Sequence, residues 1–183
     1  RADVVFCFFG FNEALRGPEH VGTFKQNLAT MIEGMKQQRY NGESTPTIVI
    51  FSPIAHEDLQ NPNLPDGSKN NPNLKAITSA MSEVCDQQNV QFVDIYTPSL
   101  SLYEGSSKPL TLNGVHLLDH GADAIAQVIV EQLFGVDASR AGKRQEIERI
   151  REAVLERNYY WFSRYRVVDG YNVYGGRSTL NWF

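Results

Sequence analysis

The chain has 183 residues, room for one ordinary domain with an appendage, and is 42% hydrophobic, enough to fill a core. A formal net charge of −4, a pI of about 5.6 and the absence of any run of five like charges argue against nucleic acid or an anionic membrane as the main partner. The two isolated cysteines, Cys7 and Cys85, supply neither a disulfide framework nor metal spacing and read as small buried hydrophobes.

Ala2–Phe9 is almost unbroken hydrophobic sequence rich in Val and Phe, which predicts a fully buried strand. Gly10, Phe11 and Asn12 follow at its carboxyl end. His20–Gln38 predicts a helix, because Val21, Phe24, Leu28, Met31, Ile32 and Met35 recur at three- and four-residue spacing. Thr47–Phe51 (TIVIF) predicts a second buried strand between Pro46 and Pro53. Ala55–Asn73, polar and rich in Asn and Pro, predicts a long loop of the kind that rims substrate sites.

Leu74–Gln88 predicts a second amphipathic helix, with Leu74, Ile77, Ala80, Met81, Val84 and Cys85 inward. Val90–Ile95 predicts a third strand and Pro98–Tyr103 a short helix. Asp119–Phe134 predicts a third long helix, with Asp119 as its N-cap. Beyond Gly135 the character changes. Ala141–Arg157 predicts a charged amphipathic helix carrying Ile147, Ile150 and Val154 on one face. Tyr159–Phe183 is dense in aromatic residues and is expected to pack over an apolar flank of the core.

Alternating strands and helices imply an α/β domain with a parallel sheet. Three strands make a thin sheet, so the domain is expected to be incomplete at its N-terminus. The expected division is 1–135 for the α/β part and 136–183 for the charged helix and aromatic extension. No secretory signal or membrane-spanning run is visible. The four histidines are scattered and no pair is spaced as metal ligands, so no metal and no cofactor is expected. A nucleotide-binding reading fails for want of a glycine-rich phosphate loop after the first strand.

Ligands of parallel α/β sheets bind at the carboxyl ends of the strands. Gly10 permits a tight turn there, and the amide of Asn12 is a donor of the type that stabilises an oxyanion. His116, within Leu112-Asn113-Gly114-Val115-His116-Leu117, lies in the loop before the last core helix and is a candidate general base. His20, His56 and His120 read as bystanders: a helix start, a loop and a first helical turn.

Gly-x-Asn closing a buried strand, followed late by x-Gly-Val-His before a helix, resembles the SGNH or GDSL-type esterase family over Ala2 to about Gly135. The resemblance implies a three-layer, flavodoxin-like α/β/α fold and a serine ester hydrolase, with acylated carbohydrates as a substrate class. It makes His116 the base, Asn12 an oxyanion donor and Gly10 its turn residue. Two departures stand out. No serine of the chain, Ser52, Ser99 and Ser101 included, occupies the family's nucleophile position, so the serine is expected upstream of Arg1 and residues 1–183 alone are expected to be inactive. Asn113 also stands where the family has an aspartate three residues before the histidine.

The runs FFGFNEAL, YNGESTPTIVIFSPIAHEDL, NLPDGSKNN, LTLNGVHLLDHGADAIA and NYYWFSRYRVVDGYNVYGGR further resemble an SGNH-type branch of planctomycetes and related bacteria. Its members are often exported or periplasmic and fused to haem-binding or sugar-dehydrogenase-like modules. The alternative is a catalytically degenerate module of the same fold that binds glycans or docks neighbouring domains.

Overall fold

The computed structural model describes residues 2–136, 144–166 and 179. The chain divides into two compact units, Arg1–Ala138 and Ser139–Phe183. The first holds three parallel strands, β1 (Val4–Phe8), β2 (Thr47–Phe51) and β3 (Gln91–Val93), in the order β1-β2-β3. Val4 pairs with Thr47 and Phe8 with Phe51; Val49 pairs with Gln91 and Phe51 with Val93. Each crossover carries a helix, as parallel pairing requires. These are α2 (Val21–Lys36) and α3 (Asn71–Gln88), while α1 (Phe11–Ala14) is a single turn directly after β1.

The two faces of β2 fill two cores. Ile48 and Ile50 pack with Phe24, Leu28 and Ile32 of α2 and with Leu74, Ile77, Met81 and Cys85 of α3. Val49 and Phe51 pack with Val93, Ile95 and Ile125, the last from α5 (Asp119–Phe134). The result is the expected helix–sheet–helix layering, with α4 (Tyr96–Gly105) following β3. Burying one large aliphatic side chain of this kind contributes about 1.5–3 kcal/mol before entropy is counted.

The first strand is not fully buried. Val4, Phe6 and Phe8 are each about half exposed, at 50%, 49% and 56%. β1 has one strand neighbour among the described residues, and these side chains lie on the α5 side of the sheet, where the rings of Phe6 and Phe8 meet that of Phe51, edge-on and stacked respectively. Two short elements escaped the periodicity: α1 and a 3₁₀ turn at Pro18–His20. α3 begins at Asn71, where Pro72 suits a first helical turn, and so shortens the expected loop. Asp119 is the first residue of α5 and not its cap; Leu118 holds the cap position without a side-chain bond.

In the second unit, α6 (Arg144–Tyr165) runs eight residues past the expected end at Arg157 and takes in Tyr159 to Tyr165. The packing expected of the later aromatic residues falls outside the described residues. No described helix is long and apolar enough to cross a membrane.

Candidate active site

β1 delivers Gly10 to the edge of the sheet. Its φ of +110° is left-handed, and a Cβ there would lie 3.1 Å from Ile77 Cγ2 and Pro53 Cδ and 3.2 Å from Met81 Sδ. Only glycine satisfies both the backbone and the space. The Gly10 N–H donates to Glu13 Oε2 at 3.0 Å, so the Glu13 side chain closes the turn. Asn12 is exposed in α1, and its amide has no partner among the described residues.

Beyond α4 the chain turns sharply from Leu110 to Leu118. Leu118 N–H donates to Leu110 O at 2.9 Å and Leu112 N–H to His116 O at 2.8 Å, around a bridge between Thr111 and Leu117. At the tip, Asn113 Oδ1 accepts from the backbone N–H of His116 at 3.0 Å and of Val115 at 3.3 Å. Two donors aimed at one atom identify it as the amide oxygen. The same atom lies 3.0 Å from His116 Nδ1, which therefore carries the proton and leaves Nε2 with its lone pair.

His116 lines an open groove of about 600 Å³ together with Phe8, Phe11, Ser52, Leu117 and Ile125. The lining is mostly apolar. Phe11, between Gly10 and Asn12, belongs to it; Asn12 lies next to the lining rather than in it. Of the predicted site residues only His116 lines the groove; Gly10 and Asn12 flank Phe11, and Asn113 reaches it through its bond to the His116 ring. Asp119 takes no part in holding the His116 ring.

The hydroxyls of Ser52 and Ser99 are otherwise engaged. Ser52 Oγ accepts from Ile95 N–H at 2.9 Å and Tyr96 N–H at 3.0 Å and donates to Asp94 Oδ1 at 3.3 Å. Ser99 Oγ accepts from Ala55 N–H and donates to Tyr96 O. Both residues are buried. Ser101 is exposed on α4.

His56 is not a solvated loop residue. It is 4% exposed, and Glu57 beside it is 5% exposed. The His56 ring is wedged between Pro65 O at Nε2 and Asn70 Nδ2 at Nδ1, and its backbone pairs twice with the Asn71 side chain. Its ring also bears on Phe11, with centroids 6.4 Å apart. Burial, and secondarily the charge of Glu57, pushes the nearby Tyr103 hydroxyl well above its ordinary pKa. The sequence signal for these residues is the apolar run Pro53-Ile54-Ala55, which carries β2's burial past the strand end. Among the described residues no group of three His, Cys, Asp or Glu is placed to hold a metal.

A model of the GDSL-like lipase/acylhydrolase family matches residues 1–124. The chain belongs to that family. Among solved structures it resembles a lipase/acylhydrolase from Enterococcus faecalis, at 26% identity and a TM-score of 0.51, covering 73% of this chain and 62% of that one. It also resembles a catalytic mutant of Axe2, an acetylxylan esterase from Geobacillus stearothermophilus, at 13% identity and a TM-score of 0.55, over 72% of this chain and 59% of that one. An acetyl xylan esterase structure matches at 19% identity with a TM-score of 0.51, over 72% and 67%. The chain spans about three fifths of the length of the first two. A search of curated protein sequences returned no significant match. The family's helix-flanked parallel sheet is the architecture described above.

Proposed function

We propose that the chain is part of an SGNH-type serine ester hydrolase acting on acylated carbohydrates, acetyl esters first among them. The observation that carries this reading is the hydrogen bond from His116 Nδ1 to Asn113 Oδ1, which frees Nε2 on an apolar groove. A serine hydroxyl attacks the acyl carbonyl carbon while His116 Nε2 takes its proton. The carbonyl oxygen becomes an oxyanion, to which the Asn12 amide donates. Collapse breaks the ester C–O bond, and His116 passes the proton to the departing alcohol oxygen. Water then repeats the sequence on the acyl-enzyme and releases the acid.

The buried, committed hydroxyls of Ser52 and Ser99 support a nucleophile drawn from sequence preceding residue 1, and with it inactivity of residues 1–183 alone. Support for the substrate class comes from the acetylxylan esterases among the fold neighbours and from a groove whose apolar walls suit a short acyl group. Resemblance to the narrower SGNH branch adds export and fused modules to the proposal.

The test is hydrolysis of p-nitrophenyl acetate and of acetylated xylo-oligosaccharides by the intact protein and its His116→Ala variant. A loss of at least about 100-fold in kcat is expected from removing a general base. Undiminished turnover in the variant overturns the role of His116. Polysaccharide binding without hydrolysis by the unaltered protein replaces this reading with that of a glycan-binding or docking module.

A further inference from the structure

Glu57 presents an unusual combination: a carboxylate in the interior with no cationic partner among the described residues. Burying an ionised carboxylate costs several kcal/mol unless hydrogen bonds replace its water. Here all of the replacement comes from one place. Leu110 N–H donates to both carboxylate oxygens, at 2.9 and 3.1 Å. Thr111 donates its N–H at 2.7 Å and its hydroxyl at 2.5 Å to Oε2.

The contacts continue towards the tip of the turn. With its hydrogen given to Glu57, Thr111 Oγ1 is left to accept, and it does so from Gly114 N–H at 2.9 Å. The Glu57 backbone N–H donates to Gly114 O at 2.9 Å. Gly114 therefore has both of its backbone polar groups tied to Glu57, one directly and one through Thr111. It lies between Asn113 and the residues whose N–H groups fix the Asn113 amide. A charge-assisted cluster of this kind is stronger and more directional than neutral bonds.

We infer that Glu57 is a positioning residue for His116: its buried carboxylate clamps Leu110, Thr111 and Gly114, and through them holds the Asn113–His116 pair in its Nδ1–H form on the groove. This rests on the reading of His116 as the general base, but its geometry can be tested apart from catalysis. Glu57→Gln keeps the volume and exchanges one acceptor oxygen for an NH₂ that faces N–H and O–H donors. With the NH₂ at the Oε1 position one of the four bonds is lost, at the Oε2 position three, and in either case donor meets donor.

The experiment is histidine-selective ¹⁵N NMR of the intact protein, as isolated and as Glu57→Gln, with kcat and KM measured on the same samples. The His116 signals of the unaltered protein should report protonation at Nδ1. In Glu57→Gln they should move to a mixture of Nδ1–H and Nε2–H forms, and kcat should fall by on the order of 10²-fold, as expected for a misplaced catalytic group. KM should stay within about twofold, because uniform binding is untouched. His116 signals in Glu57→Gln identical to those of the unaltered protein overturn the inference, whatever the activity. If the unaltered protein has no esterase activity, the proposed function fails while the NMR comparison still decides this point. Should Glu57→Gln not fold, Thr111→Val removes the hydroxyl that bridges Glu57 Oε2 and Gly114 N–H; a shifted His116 tautomer supports the inference and an unshifted one overturns it.

Discussion

Asn113 Oδ1 accepts from His116 Nδ1 at 3.0 Å, and the amide is held oxygen-inward by the backbone N–H groups of Val115 and His116. An asparagine in this place is therefore not equivalent to a carboxylate replaced at random. In a serine protease, exchanging the triad's Asp for Asn presents the wrong tautomer and lowers turnover by about 10⁴. Here the backbone prevents the amide from turning its NH₂ to the ring. What Asn113 lacks is the negative charge that would stabilise the imidazolium formed during the reaction.

Asn113→Asp should therefore raise kcat, since a carboxylate keeps the same three bonds and adds charge. The site is exposed, and an exposed ion pair contributes up to about 1 kcal/mol, or about fivefold in rate. Asn113→Ala should lower kcat by about 10- to 100-fold through loss of orientation, with KM little changed. Steady-state kinetics on a soluble acetyl ester check both. A slower Asn113→Asp enzyme counts against this account of the pair.

Gly114→Ala should be more damaging than its exposed neighbourhood suggests. A Cβ on Gly114 would fall 2.4 Å from His56 Nε2 and 2.8 Å from Glu57 O, at a φ of +87°. Neither neighbour can retreat, as His56 is held by Pro65 O and by the side chains of Asn70 and Asn71. The expected outcome is a loss of more than about 2 kcal/mol of stability by urea denaturation, from strain and overpacking together. A fully stable variant would mean the turn relaxes more easily than these contacts allow.

Much of this architecture is legible in the amino-acid pattern alone. Apolar runs such as TIVIF and the three- and four-residue spacing of α2, α3 and α5 are set by burial, and burial is what such patterns record. The pattern cannot say which face of β1 is covered, because Val4, Phe6 and Phe8 are as apolar as the buried Ile50. For His56 and Glu57 it offers only the burial signal of the preceding Pro53-Ile54-Ala55, and nothing of their partners. Polar residues beside prolines and asparagines look like solvated loop, and only the fold shows that Leu110, Thr111 and Gly114 come to meet them. His116 and Asn113 are visible because their pairing is local, three residues apart, whereas the clamp on them spans more than fifty residues of sequence.

Gly10→Ala tests the other half of the groove. Left-handed backbone strain of about 1–3 kcal/mol adds to contacts of 3.1–3.2 Å with Ile77, Pro53 and Met81. Thermal unfolding should report the destabilisation. Activity in the folded fraction should fall as well, because the turn that carries Asn12 has to shift. Full activity in a destabilised but folded variant would separate Asn12 from the chemistry.

Alkaline pH offers a check on the core. Burial pushes the Cys85 thiol from its ordinary 9.0 up to about 11. Between those values the unfolded chain loses a proton that the folded chain keeps, so stability falls as pH rises. Cys7, also raised by burial, acts in the same direction. Urea midpoints measured from about pH 8 to about pH 10.5, a range that brackets the ordinary thiol pKa, should decline for the unaltered protein and decline less steeply for Cys85→Ala. Parallel slopes would show that Cys85 ionises as readily in the fold as out of it.

Ser52 calls for a direct trial, because it lines the same groove as His116 and a hydroxyl beside a base invites a nucleophilic role. Its oxygen is already spoken for by the N–H groups of Ile95 and Tyr96 and by Asp94, and it is 1% exposed. Ser52→Ala leaves two buried N–H groups at the start of α4 without this acceptor, although Tyr96 N–H keeps Asp94 Oδ1 at 2.9 Å. The expected cost is about 1–3 kcal/mol of stability. Turnover by the intact protein should fall less than about tenfold, against a loss of about 10⁶ expected on removing a true nucleophile. Collapse of activity in a well-folded Ser52→Ala protein would instead make Ser52 the attacking group and end the case for a serine elsewhere.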